Sequence, residues 1–140
     1  MKRALWISLS ITIALSCGGC PTTQQRLLDS SVDQLRIRSI QTRSFDTTDR
    51  KAVLRATIAT LQDLGFVVDK ADADLGTVTA TKLAGYAARA TVTVRPKGAK
   101  QVAVRISVEH NQTTVEDPQT YQNFFSALSK SLFLSANQVD

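Results

Sequence analysis

The sequence predicts an α+β domain in which a four-stranded antiparallel sheet carries two helices on one face, in the order β-α-β-β-β-α. Three observations predict it. Arg89–Arg95 and Gln101–Glu109 alternate apolar and polar residues on either side of the turn Pro96–Lys100, which is typical of an antiparallel hairpin. Two other segments repeat apolar residues every three or four positions, as helices with one buried face do. Turn-forming residues separate these segments.

Composition favours one folded domain. The chain has 140 residues, 43% of them hydrophobic, which is enough for a core and argues against global disorder. Its formal net charge of +5 includes Lys2 and Arg3, which lie in an apparent leader. The remaining positive excess is small and spread along the chain, whereas nucleic-acid binding usually needs a concentrated basic stripe. We therefore expect no nucleic-acid partner.

The first residues have the pattern of an export signal. A short basic start, Met1–Arg3, precedes the apolar run Ala4–Ser16. That run has about 13 residues, whereas a transmembrane helix needs roughly 20. It fits the apolar region of a signal peptide, and we predict that residues 1–19 are a cleaved leader. The alternative is an uncleaved N-terminal anchor.

The end of this leader resembles a bacterial lipobox, in which small residues precede a lipid-modified cysteine. Gly18 and Gly19 come directly before Cys20, the predicted lipidation site, and Cys17 is the alternative. The resemblance implies that the membrane is a partner through an N-terminal lipid, and that the mature chain lies in the cell envelope. Pro21 stands where an Asp retains many lipoproteins at the inner membrane, so we expect outer-membrane anchoring with the domain facing the periplasm.

The mature chain divides into a tether and a domain. Residues 20–34 are expected to be a lipidated cysteine and a polar tether, and residues 35–140 a periplasmic domain. Leu35–Phe45 mixes apolar and polar residues in near alternation and is predicted as the first strand. Asp46–Asp49 offers N-cap side chains for a helix that ends at Leu64, before Gly65. The buried face of that helix is expected to hold Leu54, Ile58 and Leu61, with Val53 and Leu64 at its margins.

The second half of the chain contains the remaining elements. A strand begins at Phe66, and Asp72–Gly76 forms a turn before another strand, Thr77–Lys82. The antiparallel hairpin follows. Asp117 and Pro118 start the last helix, because an acidic cap and a proline at the first helical position are a frequent helix start. The apolar stripe of this helix is Tyr121, Phe124, Phe125, Leu128 and Leu132.

Two resemblances extend this interpretation. The run LQDLGFVVDKADADLGTVTATK (Leu61–Lys82) and the element order resemble the helix-grip repeats of the lipoprotein C subunit of the outer-membrane β-barrel assembly machine. The chain also resembles a family of small, largely uncharacterised proteobacterial lipoproteins. Its hallmarks are FDTTD (Phe45–Asp49), LQDLGFVVDKADADLG (Leu61–Gly76) and YQNFFSALSKSLFL (Tyr121–Leu134). The resemblances imply a helix-grip-like fold and an envelope location, and they imply no activity.

No group of residues predicts catalysis, a metal or a cofactor. His110 is the only histidine and is expected in a surface loop, with Glu109 pointing to the opposite side of a strand. Asp72 and Asp74 precede Gly76 as in part of a calcium loop, but turn formation is the simpler interpretation. Both cysteines lie at the end of the leader, so the domain itself has no thiol for metal binding or disulfides. We therefore expect a protein that is not an enzyme.

Two functions remain. The first is an accessory or scaffold lipoprotein that works through the solvent-facing side of the sheet. The candidate ligands of that face are an envelope protein, an anionic glycan and a lipid headgroup, and the alternative is a face that is only solvated. The interaction residues expected there are Thr91, Thr93, Arg95 and Arg105. The second is a carrier or sensor of an apolar ligand held between the last helix and the sheet. Tight packing of the last helix favours the first function, and an enclosed apolar cavity favours the second.

Overall fold

The computed structural model describes residues 23–85 and 87–136. In this part of the chain there are three helices and six strands. In chain order they are α1 Thr23–Gln41, β1 Thr42–Phe45, α2 Arg50–Asp63, β2 Val67–Asp72, β3 Thr77–Lys82, β4 Ala88–Lys97, β5 Gln101–His110, β6 Thr113–Thr114 and α3 Pro118–Ala136. The predicted leader and Cys20 lie outside the described residues.

The strands form one antiparallel sheet in the order β1-β5-β4-β3-β2, and β6 pairs with the end of β5. The hairpin β4–β5 is its centre, with ten residues in each strand and continuous register. β1 and β2 are the edges, and the pairing of β2 with β3 shifts register between Val68 and Lys70. The predicted α+β class and antiparallel sheet are thus confirmed.

The predicted count of four strands and two helices is wrong, and the helix-grip arrangement is not confirmed. The predicted order has three strands between its two helices, although the sequence contains four strand-forming segments there. The structure has all four, β2 to β5, between α2 and α3, together with the short β6. Residues 23–34 of the predicted tether and residues 35–41 of the predicted first strand are helical, since α1 runs from Thr23 to Gln41. Ile37 and Ile40 are both half-buried at a spacing of three, so the alternation seen from Leu35 onward is part of a helical face.

Side chains cap the start of both core-facing helices, and backbone hydrogen bonds close the end of α2. The Asp49 carboxylate accepts a hydrogen bond from the Ala52 amide at 2.9 Å and so caps α2. At the other end Gly65 has a φ of 82°, and the amides of Gly65 and Phe66 bond back to Gln62 and Leu61. This is a Schellman motif, which needs the left-handed conformation that glycine adopts without strain.

Asp117 caps α3, as predicted. Its carboxylate accepts hydrogen bonds from the Thr120 hydroxyl at 2.8 Å and from the amides of Gln119 and Thr120. The Thr120 hydroxyl is the largest influence on this carboxyl, and with the Gln119 amide it lowers the pKa of Asp117 below its ordinary value of 3.8. The start of α3 therefore stabilises the ionised carboxylate of Asp117.

The core lies between the sheet and the helices α2 and α3. Apolar residues at alternate positions of β3, β4 and β5 are buried, and the α3 stripe packs against them with Tyr121, Phe124, Phe125 and Leu128 almost fully buried. Leu61 of α2 is fully buried as expected. Ile58 is only half-buried, because the buried face of α2 is rotated toward Val53, Ala56, Thr57 and Thr60.

Candidate interaction surface

The side of the sheet away from α2 and α3 presents polar side chains. We call this surface the open face. Its members on the three central strands are Thr77, Thr79, Thr81, Arg89, Thr91, Thr93, Arg95, Ala103, Arg105, Ser107 and Glu109. All are exposed or half-buried, whereas the residues that alternate with them are buried, or half-buried at the end of β3. The four interaction residues expected from the sequence thus lie together on one surface.

Strand register sets the spacing on the open face. Thr77 stands opposite Thr93 and Thr79 opposite Thr91, which makes a block of four threonines across β3 and β4. Thr93 also stands opposite Arg105 of β5. Directly opposed residues on neighbouring strands are about 5 Å apart at Cβ. A partner would therefore meet a compact threonine centre with arginine on its border.

The charge of the open face is positive. On the three central strands it has three arginines and one glutamate, and the register places Arg89 opposite that glutamate, Glu109. Arg95 and Arg105 lie further toward the β4–β5 turn, and Lys97 donates to Ser44 of β1 at 2.8 Å in the same region. The turn end of the open face is accordingly its more basic end, and salt screens such exposed charges.

A buried glutamine ties the open face to α1 and α3. Gln41, at the end of α1, is 2% exposed, and its amide donates to the Tyr121 hydroxyl at 3.2 Å. Tyr121 in turn donates a short hydrogen bond to the carbonyl of Val115. Arg105 donates to the Gln41 side-chain oxygen at 3.3 Å. A series of side-chain hydrogen bonds therefore connects Arg105 of the open face, through Gln41, with Tyr121 of the core helix α3.

Next to this network is a polar cleft of about 530 Å³ between α1 and β5. Asp33 and Arg38 of α1 line one wall, Arg105 and Ser107 of the open face line the other, and Glu116 completes it. Both signs of charge are present, so the cleft has no single preferred ligand charge. It extends the open face toward α1.

A smaller hollow lies between α2, α3 and the buried side of the sheet. Its volume is about 190 Å³, and its apolar walls include Leu61, Ile106 and Phe124. Lys82 borders it and donates to the Leu64 carbonyl at 2.8 Å, with its ammonium 5.7 Å from the centre of the Phe66 ring. Ligand sites usually have about 300–1,000 Å³, so this hollow is smaller than most.

The acidic residues near the β2–β3 turn have structural partners. Asp72 accepts from the Leu75 amide at 2.9 Å, and Asp69 accepts from the Thr81 hydroxyl at 2.7 Å. The Arg50 guanidinium donates to the carbonyls of Ala73 and Asp74. These contacts support turn formation. Within residues 23–85 and 87–136, no three His, Cys, Asp or Glu residues lie close enough together to hold a metal ion.

Gly76 ends this turn at a close backbone contact. Its φ is 68°, its carbonyl accepts from the Val94 amide at 2.7 Å, and a Cβ there would lie 2.3 Å from the Val94 carbonyl oxygen. Any larger residue would clash with β4. The glycine thus holds the β2–β3 turn against the central hairpin.

His110 is the last residue of β5, whereas a surface loop was expected. Its Nδ1 lies 2.7 Å from the Ala87 carbonyl, so Nδ1 carries the proton and donates. Its Nε2 lies 3.2 Å from the Asn111 side-chain nitrogen and accepts from it. The ring therefore joins the two loops at this end of the hairpin.

Neither a scan against protein-family models nor a search of curated proteins found a match. In the part of the chain that the structure describes, none of the helices is both long and apolar enough to cross a membrane. The structure shows an α+β domain with a polar sheet face, and the family suggested by sequence resemblance stays a prediction.

Proposed function

We propose that this chain is a lipid-anchored protein of the cell envelope, facing the periplasm from the outer membrane, and that it acts as a non-enzymatic accessory or scaffold domain. The single observation that supports docking most is the open face, where a block of threonines adjoins Arg95 and Arg105. The leader pattern ending at Cys20 supports anchoring.

The partner we propose is an envelope protein that presents an acidic surface. Arginine pairs well with carboxylates because its guanidinium donates in a planar fork. Threonine hydroxyls both donate and accept hydrogen bonds, so the centre of the face suits a polar polypeptide surface. Interfaces of this kind gain specificity and association rate from complementary charge.

The docking test is site-specific photocrosslinking from Thr93, at the middle of the open face. Cells carrying Arg95→Glu together with Arg105→Glu should lose most of the adduct. Reversal of the exposed Arg95 should change folding by no more than about 0.5 kcal/mol, whereas reversal of Arg105 also removes its bond to the buried Gln41. The matched control is Lys51→Glu with Lys130→Glu, which makes the same change in net charge at exposed helix positions away from the open face. Equal adduct yields in all three strains would refute docking on this face.

Arg95→Glu alone separates docking from structure. Arg105 donates to Gln41, so its reversal also disturbs the polar network, whereas no hydrogen bond of this kind involves Arg95 among the described contacts. Loss of the adduct in Arg95→Glu with unchanged thermal unfolding therefore assigns the effect to the surface charge.

Anchoring is tested separately. Mass spectrometry of the mature N-terminus should find a diacylglycerol-modified cysteine at Cys20, with loss of processing in Cys20→Ala. A Cys20→Ala protein that is still processed and still sediments with membranes would assign the lipid to Cys17.

A second function has one observation in its favour. The 190 Å³ hollow beside α3 is bordered by Lys82, which suits a small apolar carboxylate. Nuclear magnetic resonance titration with hexanoate should then shift the amides of Phe66 and Phe124, and Lys82→Met should abolish the shift. Tyr121, Phe124 and Phe125 are nonetheless tightly packed, which favours the docking function.

A further inference from the structure

The helix α1 has two unlike sides. Ile37, Ile40 and Gln41 turn toward the domain and are buried or half-buried. On the other side Val32 and Leu35 are 62% and 65% exposed. A helix has 3.6 residues per turn, so positions 32 and 35 share one stripe that points away from the domain. We call Val32 and Leu35 the outward stripe.

Two basic residues flank the outward stripe. Helical spacing places Arg36 on one flank and Arg38 on the other; both are exposed, and Arg38 also borders the polar cleft. Asp33 lies on the side that faces the domain, where it lines the polar cleft. An apolar stripe with basic flanks is the arrangement of a helix that lies in a membrane interface, since arginine stems cover apolar surface while their guanidinium groups reach lipid phosphates.

The proposed lipid anchor places α1 close to a membrane. α1 begins at Thr23, three residues after the proposed lipidated cysteine. A rise of 1.5 Å per residue puts the outward stripe about 14–18 Å along the helix from Thr23. Two apolar side chains bind a membrane weakly on their own, but a nearby lipid anchor makes their binding intramolecular and so raises the effective concentration.

We propose that the outward stripe of α1 lies on the surface of the membrane that holds the lipid anchor, with Arg36 and Arg38 at the phosphates. This proposal rests on the proposed lipidation of Cys20. It deepens the proposed function, because the Gln41–Tyr121–Arg105 network fixes α1 to the domain and thereby sets the direction in which the open face points.

The experiment uses lipidated protein purified from membranes and reconstituted into vesicles of phosphatidylethanolamine and phosphatidylglycerol. Leu35→Cys is labelled with an environment-sensitive fluorophore, and Gln34→Cys is the matched control, an exposed neighbour on the cleft side of the same helix. Lipids with nitroxide on their acyl chains should quench the label at position 35 several-fold more than the label at position 34. Replacing Arg36 and Arg38 by Gln should reduce that difference.

Wild-type protein separates the two ways in which the proposal can fail. A cysteine with a thioether-linked lipid cannot take up a thiol label, so wild type that stays unlabelled after reduction and carries the lipid mass at its N-terminus confirms anchoring at Cys20. If wild type stays unlabelled and quenching is equal at positions 35 and 34, the membrane contact is refuted and the proposed anchoring stands. If wild type takes up label at Cys20, the anchoring fails and this proposal fails with it. An emission change at position 35 that depends on protein concentration in detergent would assign the stripe to a second copy of the chain instead.

Discussion

Thr60 offers a direct test of the packing of α2. Its side chain is 1% exposed, and its hydroxyl oxygen has no hydrogen-bond partner among the described residues. Thr57, one turn earlier, is 0% exposed, but its hydroxyl donates to the Val53 carbonyl at 2.8 Å. Both residues are buried threonines of α2, and they differ in whether the hydroxyl makes a hydrogen bond.

We predict that Thr60→Val stabilises the domain and that Thr57→Val does not. Burying an unsatisfied hydroxyl costs about 1–3 kcal/mol, and valine has nearly the same shape without that cost. In Thr57→Val the loss of a bond worth about 1 kcal/mol is offset by a buried methyl group worth about 0.8 kcal/mol. The helix propensities of Thr and Val are similar, so they do not decide the comparison.

The measurement is thermal and urea unfolding of the mature chain carrying Cys20→Ala, followed by circular dichroism. Thr60→Val should raise the melting temperature by about 4–12 °C, given roughly 4 °C per kcal/mol for a domain of this size. Thr57→Val should leave it within about 3 °C of the parent. Equal effects of the two substitutions, or a lower melting temperature for Thr60→Val, would show that the Thr60 hydroxyl is satisfied in solution.

Three other predictions concern the fold. Leu61→Ala and Phe125→Ala should each lower the free energy of unfolding by about 2–5 kcal/mol in urea melts, because both side chains are fully packed. Gly76→Ala should lower the free energy of unfolding by about 1–3 kcal/mol because the residue has a positive φ. The loss should be larger still because the added Cβ would lie 2.3 Å from the Val94 carbonyl oxygen. Gly98→Ala is its control, with a φ of 63° and open space around it. Asp117→Asn should reduce the loss of stability on acidification. The pKa of the Asp117 carboxyl is lower in the folded than in the unfolded chain, so the carboxylate stabilises the fold above the unfolded-state pKa, and this stabilisation is lost as the pH falls through the folded-state pKa.

Each of these has an outcome that would contradict it. Unchanged unfolding of either alanine variant would place that side chain outside the core. Equal losses for the two glycine substitutions would mean that the close carbonyl contact does not constrain the turn. Identical acid unfolding of the Asp117→Asn protein, followed between about pH 2 and pH 5, would mean that this cap does not contribute to acid sensitivity.

The elements that could be predicted from sequence are those whose pattern is long and local. The hairpin β4–β5 alternates strictly over both strands, and the stripe of α3 recurs along the helix. The caps Asp49 and Asp117 and the stop at Gly65 were also predictable, because each acts within four residues of itself.

The rest depended on contacts that are distant in sequence. Leu35 and Ile37 look alternating over a few residues, and only burial of Ile37 and Ile40 against the domain distinguishes a helix there. The four members predicted for the open face followed from alternation, but Gln41 did not. Its burial depends on Tyr121, 80 residues away, and no local signal marks it. A lone glutamine between half-buried isoleucines and a strand is the nearest hint.

The irregular edge of the sheet bears on how copies of this domain coexist. A free, regular edge strand offers unpaired amides and carbonyls to any similar strand, which is a route to aggregation. β2 interrupts that template with its register shift between Val68 and Lys70, and an exposed lysine lies at the irregularity. The other edge, β1, has four residues and continues directly from α1. Both borders therefore offer a short or irregular template, which makes strand exchange between copies of the domain less favourable.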